Sequence, residues 1–322
     1  MQQPKSWQTV TFRAMGSHIN LWLDSADTAW LAAFELVEEL FRSNEEALSR
    51  FREDSELSQL NRHSGEWFPV SLLLWEVLQA AVDMAAATGG LFDPTILDAL
   101  EFAGYTQSFE VLTTAVNYNP HFKNNHHVGA WRDIRFDSLN QRVLLPPGSR
   151  IDLGGIAKGF TAQQAVDILN QYGPCLVDAG GDLTAGTAPY GFAGWPVAVA
   201  APKTDVDPLD LFTLWLAEGS LATSGIDYRH WLRNGRTVHH LIDPFSGQPA
   251  ETDVITTTVL AKEATTAEAW ATAALIGGIT TGMAHLVANQ FPAVMITCNN
   301  KLMLTPAMAD KLTELQQMWN LG

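Results

Sequence analysis

Cysteine is nearly absent from this chain. Its 322 residues include only Cys175 and Cys298, too few for a disulfide framework and without the spacing of a zinc site. Cations are scarce as well: 19 Lys and Arg stand against 35 Asp and Glu, a net charge of −16. That balance argues against a nucleic-acid backbone or an anionic membrane surface as the main partner. Any anionic ligand must then be neutralised locally, by a metal, a lysine or a helix end. No apolar run is read as reaching the roughly 18–20 residues of a membrane span. Met1-Gln-Gln-Pro-Lys-Ser-Trp7 lacks the apolar centre of a signal peptide. The chain as it stands is therefore expected to be cytoplasmic, with an exported form left open.

What is present suits one large domain. Hydrophobic residues make up 47% of the chain, enough for a sizeable core. Residues 9–23 read as strand, broken at Met15-Gly16-Ser17. Helical spacing of apolar residues covers 28–48, 72–87, 161–172 and 267–276, and the second and last of these stop at paired glycines. A short helical turn is expected at 54–61, and a polar, variable loop at about 107–130. Strand patterns fall at 134–136, 142–145, 176–178, 196–200, 211–217, 254–261, 293–297 and 302–304. Strands follow one another without regular βαβ alternation, so an α+β fold is favoured over a doubly wound one.

Several polar stretches interrupt this pattern. Asp152-Leu-Gly-Gly-Ile-Ala-Lys158-Gly159 opens a helical segment with one carboxylate, three glycines and a lysine. Such a turn suits a phosphate or metal-phosphate group, because glycine admits a close ligand and a helix start offers N–H groups. Its spacing is neither that of a P-loop nor that of a Rossmann turn, which argues against a nicotinamide- or flavin-dependent oxidoreductase. Phe92-Asp93-Pro94-Thr95 and Asp178-Ala-Gly-Gly-Asp182 read locally as turns. Ala222-Thr-Ser-Gly225, with Tyr228 and Arg229 beyond, reads as a Ser-rich turn or a hydroxyl-lined loop. His240, in His239-His240-Leu-Ile-Asp243-Pro244, is a candidate for proton transfer near neutral pH. Glu268 and Thr272 share a helix face and could hold a hard cation. Thr265-x-x-Glu268 equally fits a capping box.

Taken together and in order, these stretches resemble the ApbE family, the FAD:protein FMN transferases. The resemblance begins at Met15-Gly-Ser17 and Leu48-Ser-Arg-Phe51 with Asp54-Ser55-Glu56. It continues through Gly90-Leu-Phe-Asp-Pro-Thr95, Asp152–Gly159, Ala179–Asp182, Ala222–Gly225 and His240–Pro244 with Gly247, to the helix at Ala267–Thr272. It covers about residues 10–300.

The resemblance implies a single α+β unit with an internal duplication like that of the T-fold, spanning 1–322 with an ordered core at about 10–310. It implies Mg²⁺-dependent transfer of the FMN half of FAD to a Ser or Thr hydroxyl of a partner redox protein, with release of AMP. The alternative is an FAD pyrophosphatase or a non-catalytic FAD-binding protein of the same family. Met15, Phe51, Leu91, Phe92, Asp93, Asp152, Lys158, Leu241 and Ile242 would contact FAD. Gly155 through its carbonyl, Glu268 and Thr272 would hold Mg²⁺ or Mn²⁺, and His240 would be the general base.

Three departures stand out. Phe51 replaces a frequent Tyr, Glu268 replaces the usual Asp, and Ala271 replaces a second acid. Many members are exported lipoproteins, and this chain shows neither lipobox nor signal.

Overall fold

Alternating burial along Gln8–Ala14 and Ser17–Leu23 produces a two-stranded hairpin with one face on the core. Met15 and Gly16 form its two-residue turn, with φ of 51° and 66°. Such a turn matches the twist of the strands it joins. Glycine adopts that conformation freely, whereas at Met15 it costs about 1–2 kcal/mol.

The computed structural model describes residues 7–109, 115–116, 127–202, 210–233 and 235–320. Most of the loop expected at 107–130 lies outside these residues. The hairpin opens an eight-stranded sheet, numbered along the chain as β1 (Gln8–Ala14), β2 (Ser17–Leu23), β3 (Cys175–Ala179), β4 (Asp182–Ala185), β5 (Gly219–Gly225), β6 (Val254–Ala261), β7 (Ala293–Thr297) and β8 (Leu302–Leu304). Their order across the sheet is their order in the chain. Every neighbouring pair is antiparallel. Helices are inserted between β2 and β3 and again between β6 and β7. This is the α+β class expected from the sequence, since antiparallel neighbours need no crossover helix.

The helices are α1 (Trp30–Leu48), α2 (Glu56–Arg62), α3 (Leu72–Ala87), α4 (Leu97–Phe102), α5 (Ala157–Leu169), α6 (Ala264–Gly277), α7 (Met283–Ala288) and α8 (Pro306–Asn320). On one side α1 packs on α5, α5 on β3 and on α6, and α6 on β5 and β6. The other face meets a hairpin of Trp195–Ala200 and Asp210–Leu216 together with α8, enclosing Leu176, Trp195, Leu214, Val294 and Met308. A further core joins α3, Val143 of a small three-stranded sheet and Ala269 and Ala273 of α6.

Helix α3 and strands β6, β7 and β8 have the limits that periodicity and stop signals indicate. Helix α3 is capped by Ser71, whose Oγ accepts the Leu74 N–H at 3.2 Å. Helix α8 was not expected, although Thr305 accepting the Met308 N–H at 3.3 Å, followed by Pro306, is a recognisable helix start. Ala222–Gly225 is neither turn nor loop but the end of β5, paired with β6 from Ala222↔Val259 to Gly225↔Thr256.

The glycines at 277 and 278 do not end the helical run. It passes through a wider π turn, Gly278–Gly282, into α7. Residues 264–288 thus form one helical stretch with mean hydropathy 1.4, long and apolar enough by those measures to cross a membrane. This corrects the reading that no run reaches that length. Here Ala264, Ala267, Glu268, Trp270, Ala271 and Leu275 are buried within the fold, as in the core helix of a folded domain.

Helices α5 and α6 meet most closely at Gly159. A Cβ there would lie 2.9 Å from Glu268 Oε2 and 3.0 Å from the Ala264 carbonyl. Gly159→Ala is therefore expected to cost about 1–3 kcal/mol of stability, as overpacking does, and to lower Tm in a thermal melt. An unchanged Tm would show that the two helices separate freely.

Candidate active site

The β1–β2 turn, the end of α1, the segment after α3, the Asp152–Gly155 loop, the β3–β4 turn, β5, residues 240–242 and α6 enclose one cavity of about 1030 Å³. That is the size of a pocket for a large organic ligand. All thirteen residues singled out from the sequence line it: Met15, Phe51, Leu91, Phe92, Asp93, Asp152, Gly155, Lys158, His240, Leu241, Ile242, Glu268 and Thr272. Leu91, Phe92, Leu241 and Ile242 are buried core side chains that also form its wall. The Phe92 ring rests on the backbone of Gly155, where a Cβ would come within 3.2 Å of it.

Glu268 is buried on α6. Its Oε2 accepts the Gly159 N–H at 3.0 Å, and its Oε1 contacts the Lys158 ammonium. Asp182 Oδ2 lies 3.5 Å from the same ammonium, and Asp182 Oδ1 accepts the Thr223 N–H at 3.0 Å. Burial opposes the charge on Lys158, yet Glu268 and Asp182 outweigh it and hold its pKa above the ordinary value. Burial pushes Glu268 in the neutral direction, against Lys158. Two facing carboxylates and a backbone donor favour the charged pair. The capping-box reading of Thr265-x-x-Glu268 is thereby overturned. Helix α6 starts earlier, behind Glu263 with no side-chain cap, and the Glu268 carboxylate is spent on α5.

A second buried pair stands opposite. Arg50 Nε lies 2.5 Å from Asp152 Oδ2, with side chains only 4% and 14% exposed. Asp152 Oδ1 also accepts the Gly154 N–H at 2.9 Å. The Arg50 guanidinium sits over the rings of Phe51 and Tyr105, 4.1 and 4.8 Å from their centroids, so ring packing at position 51 needs no hydroxyl. Asp93 accepts the Thr95 N–H at 2.7 Å and its hydroxyl at 2.5 Å. The Asp-Pro-Thr stretch is thus the turn its residues indicate and a cavity wall as well. The turn Gly180-Gly181 joins β3 to β4 with both φ positive, 73° and 98°.

His240 contacts the Arg229 carbonyl through Nδ1 at 3.4 Å. A carbonyl only accepts, so Nδ1 carries the hydrogen and Nε2 keeps the lone pair. Burial, helped by the charge of Arg229, lowers this imidazole to about 3.

Arg50, Tyr105, Asp182, Ser224 and Arg229 also line the cavity and were not singled out as site residues. Four of them belong to or closely follow motifs recognised in the sequence; Tyr105 carries no such signal. Ser224 Oγ and Thr272 Oγ1 are 2.9 Å apart. Among the described residues no cluster of three or more His, Cys, Asp or Glu could hold a metal. The oxygen donors nonetheless suit a hard cation. Glu268 and Asp182 converge on one ammonium, and Mg²⁺ commonly takes one or two carboxylates plus water and substrate phosphates.

A sheet ordered as its chain, with this cavity at its helical side, is the architecture of solved flavin-transferase structures. The ApbE protein of Thermotoga maritima superposes with a TM-score of 0.85 at 26% identity, over 95% of this chain and 99% of that one. The flavin transferase ApbE of Vibrio cholerae gives 0.76 at 25% identity, over 96% and 100%. The FAD:protein FMN transferase of Treponema pallidum is 31% identical over 285 residues, 82% of this chain and 75% of its own length. The ApbE family model matches residues 15–295, and this chain belongs to the ApbE family.

Two measurements check the electrostatics. His240 has a pKa of about 3 against an ordinary 6.5, so the unfolded chain binds a proton in that window that the native chain refuses. The stability due to neutral His240 is complete above pH 6.5 and is lost as pH falls toward 3. His240→Gln should flatten the fall of Tm over that range; an unaltered slope would show that the imidazole is not held neutral. Arg50→Ala leaves Asp152 buried without its partner. It should cost about 3–5 kcal/mol in denaturant unfolding, and a negligible loss would show the pair to be solvated.

Proposed function

We propose that this protein is an FAD:protein FMN transferase, moving FMN from FAD to a Ser or Thr hydroxyl of a partner redox protein and releasing AMP. The observation that carries this reading is the single cavity that all thirteen residues line. Membership of a family whose curated relatives bear that activity's name supports it. Leu91, Phe92, Leu241 and Ile242 supply apolar wall for the isoalloxazine, with Phe51 and Met15 at the more exposed side.

The reaction is phosphoryl transfer, in which positioning and charge neutralisation do most of the work. The acceptor hydroxyl oxygen bonds to the FMN phosphorus, the bond from that phosphorus to the bridging oxygen breaks, and the bridging oxygen leaves with AMP. His240 takes the hydroxyl proton at Nε2, the nitrogen left open by its Nδ1 contact. An imidazole at about 3 is a weak base while the cavity holds no anion. The ionised pyrophosphate brings opposite charge beside it and raises its proton affinity toward the working range.

Glu268, Thr272 and the Gly155 carbonyl, joined by Asp182, would hold Mg²⁺ or Mn²⁺, which when bound withdraws charge from the phosphates. For that the Lys158 ammonium must leave the two carboxylates. Its side chain then becomes available to the nucleotide, the role the resemblance implies for it.

The test mixes protein, FAD, Mg²⁺ and an acceptor domain, with mass spectrometry of the acceptor. A covalent FMN adduct and free AMP are expected. AMP without an adduct would make the protein a pyrophosphatase, and bound FAD without either product a binding protein. His240→Gln should slow transfer about 10²–10⁴-fold with FAD binding retained. Glu268→Ala should abolish metal-dependent transfer, and full activity in that variant would remove Glu268 from the metal site.

A further inference from the structure

The cavity is acidic even though its proposed substrate is an anion. Seven carboxylate residues line it against four Lys and Arg. Three of the four cations are committed to carboxylates. Arg50 holds Asp152 at 2.5 Å, Lys158 holds Glu268 and Asp182, and Arg52 Nε lies 3.5 Å from Asp54. The fourth, Arg229, is half-buried on the cavity wall. Among the described residues its guanidinium has neither an ion pair nor a hydrogen bond. Its own carbonyl receives His240 Nδ1 at 3.4 Å, so the root of this side chain is tied to the proposed base. Its charge depresses His240 and Tyr105 and opposes that of Lys158, which agrees with a position facing all three.

A half-buried guanidinium without a counter-ion, in an acidic cavity, is the group to which an incoming anion is drawn. Its planar fork also matches phosphate oxygens better than a point charge does. Resting on the FMN-transfer reading, we infer that Arg229 binds the pyrophosphate of FAD and neutralises the phosphate that departs with AMP. As the phosphorus–oxygen bond breaks, the electron pair stays on the AMP oxygen while the acceptor's proton passes to His240. Arg229 is then the counter-ion that this protein brings to the site unspent.

The experiment uses the full chain with three probes: FAD, riboflavin and inorganic pyrophosphate. Arg229→Met should weaken FAD binding about 10- to 100-fold, the loss of a charge-assisted hydrogen bond. Riboflavin, which lacks phosphate, should bind as to the wild type, and Arg229→Lys should recover part of the FAD loss. Pyrophosphate should displace FAD from the wild type and fail to bind Arg229→Met.

His240 faces Arg229, His239 and Lys158. Removing the guanidinium should therefore move the acidic limb of the pH profile for transfer to higher pH, which a structural role would not do. Unchanged FAD affinity in a folded Arg229→Met variant overturns the inference, as does equal weakening of riboflavin. If that variant does not fold, Arg229→Gln is read in its place. If the wild type forms no FMN adduct but loses pyrophosphate binding on substitution, the transfer reading fails and the assignment of Arg229 stands.

Discussion

The close approach of α5 to α6 at Gly159 is the contact on which the site depends. Because residue 159 has no side chain, the Glu268 carboxylate reaches across to its N–H at 3.0 Å and to the neighbouring Lys158 ammonium. A buried ion pair is costly to assemble, and its partners are far costlier to leave alone. Asp182, held on the Thr223 N–H of β5, supplies the second carboxylate facing Lys158. One packing contact therefore sets where the helices lie, which residue Lys158 faces and what a metal ion would displace. The extra methylene of Glu268 over the family's aspartate is consistent with this reach between helices.

Charge is distributed in this protein by pairing rather than by excess. The chain carries −16, and its cavity has more carboxylates than cations, yet the flavin nucleotide it is proposed to bind is an anion. The structure neutralises Asp152 with Arg50 and Glu268 with Lys158, so carboxylates that would repel a phosphate are already balanced. Burial keeps His240 uncharged with one ring nitrogen open. Ring packing beneath Arg50 explains how Phe51 can stand in for tyrosine, since the guanidinium uses the face of the ring.

Much of the fold is legible along the chain, and the reasons are local. Helix α3 carries an apolar stripe, a serine cap and a glycine stop, and its limits follow from them. Strands β6 to β8 are apolar runs bounded by turn residues. The run from α6 into α7 was misread because Gly277-Gly278 is a stop signal by local rules. Packing decides otherwise: at Gly282 a Cβ would meet the Ala274 carbonyl at 1.9 Å, so a glycine there lets the π turn fold against α6. Ala222–Gly225 likewise has turn composition, and partners on both sides of β5 draw its strand into the sheet.

The sequence alone determined the α+β class and, through a family resemblance across nearly its whole length, thirteen residues that line one cavity. It could do so because glycine turns, Asp-Pro turns and hydrophobic periodicity act over a few neighbouring residues. It could not decide what each charged side chain touches. Glu268 and Lys158 are 110 positions apart, as the carboxylate of a local capping box and the lysine of a local phosphate turn. Only the crossing of α5 and α6 makes them a pair. The same holds for Arg50 with Asp152 and for Arg229 beside His240. Whether a buried charge is balanced or left for a ligand depends on groups brought together from distant parts of the chain, and electrostatic energy follows distance in space and local burial rather than separation in sequence.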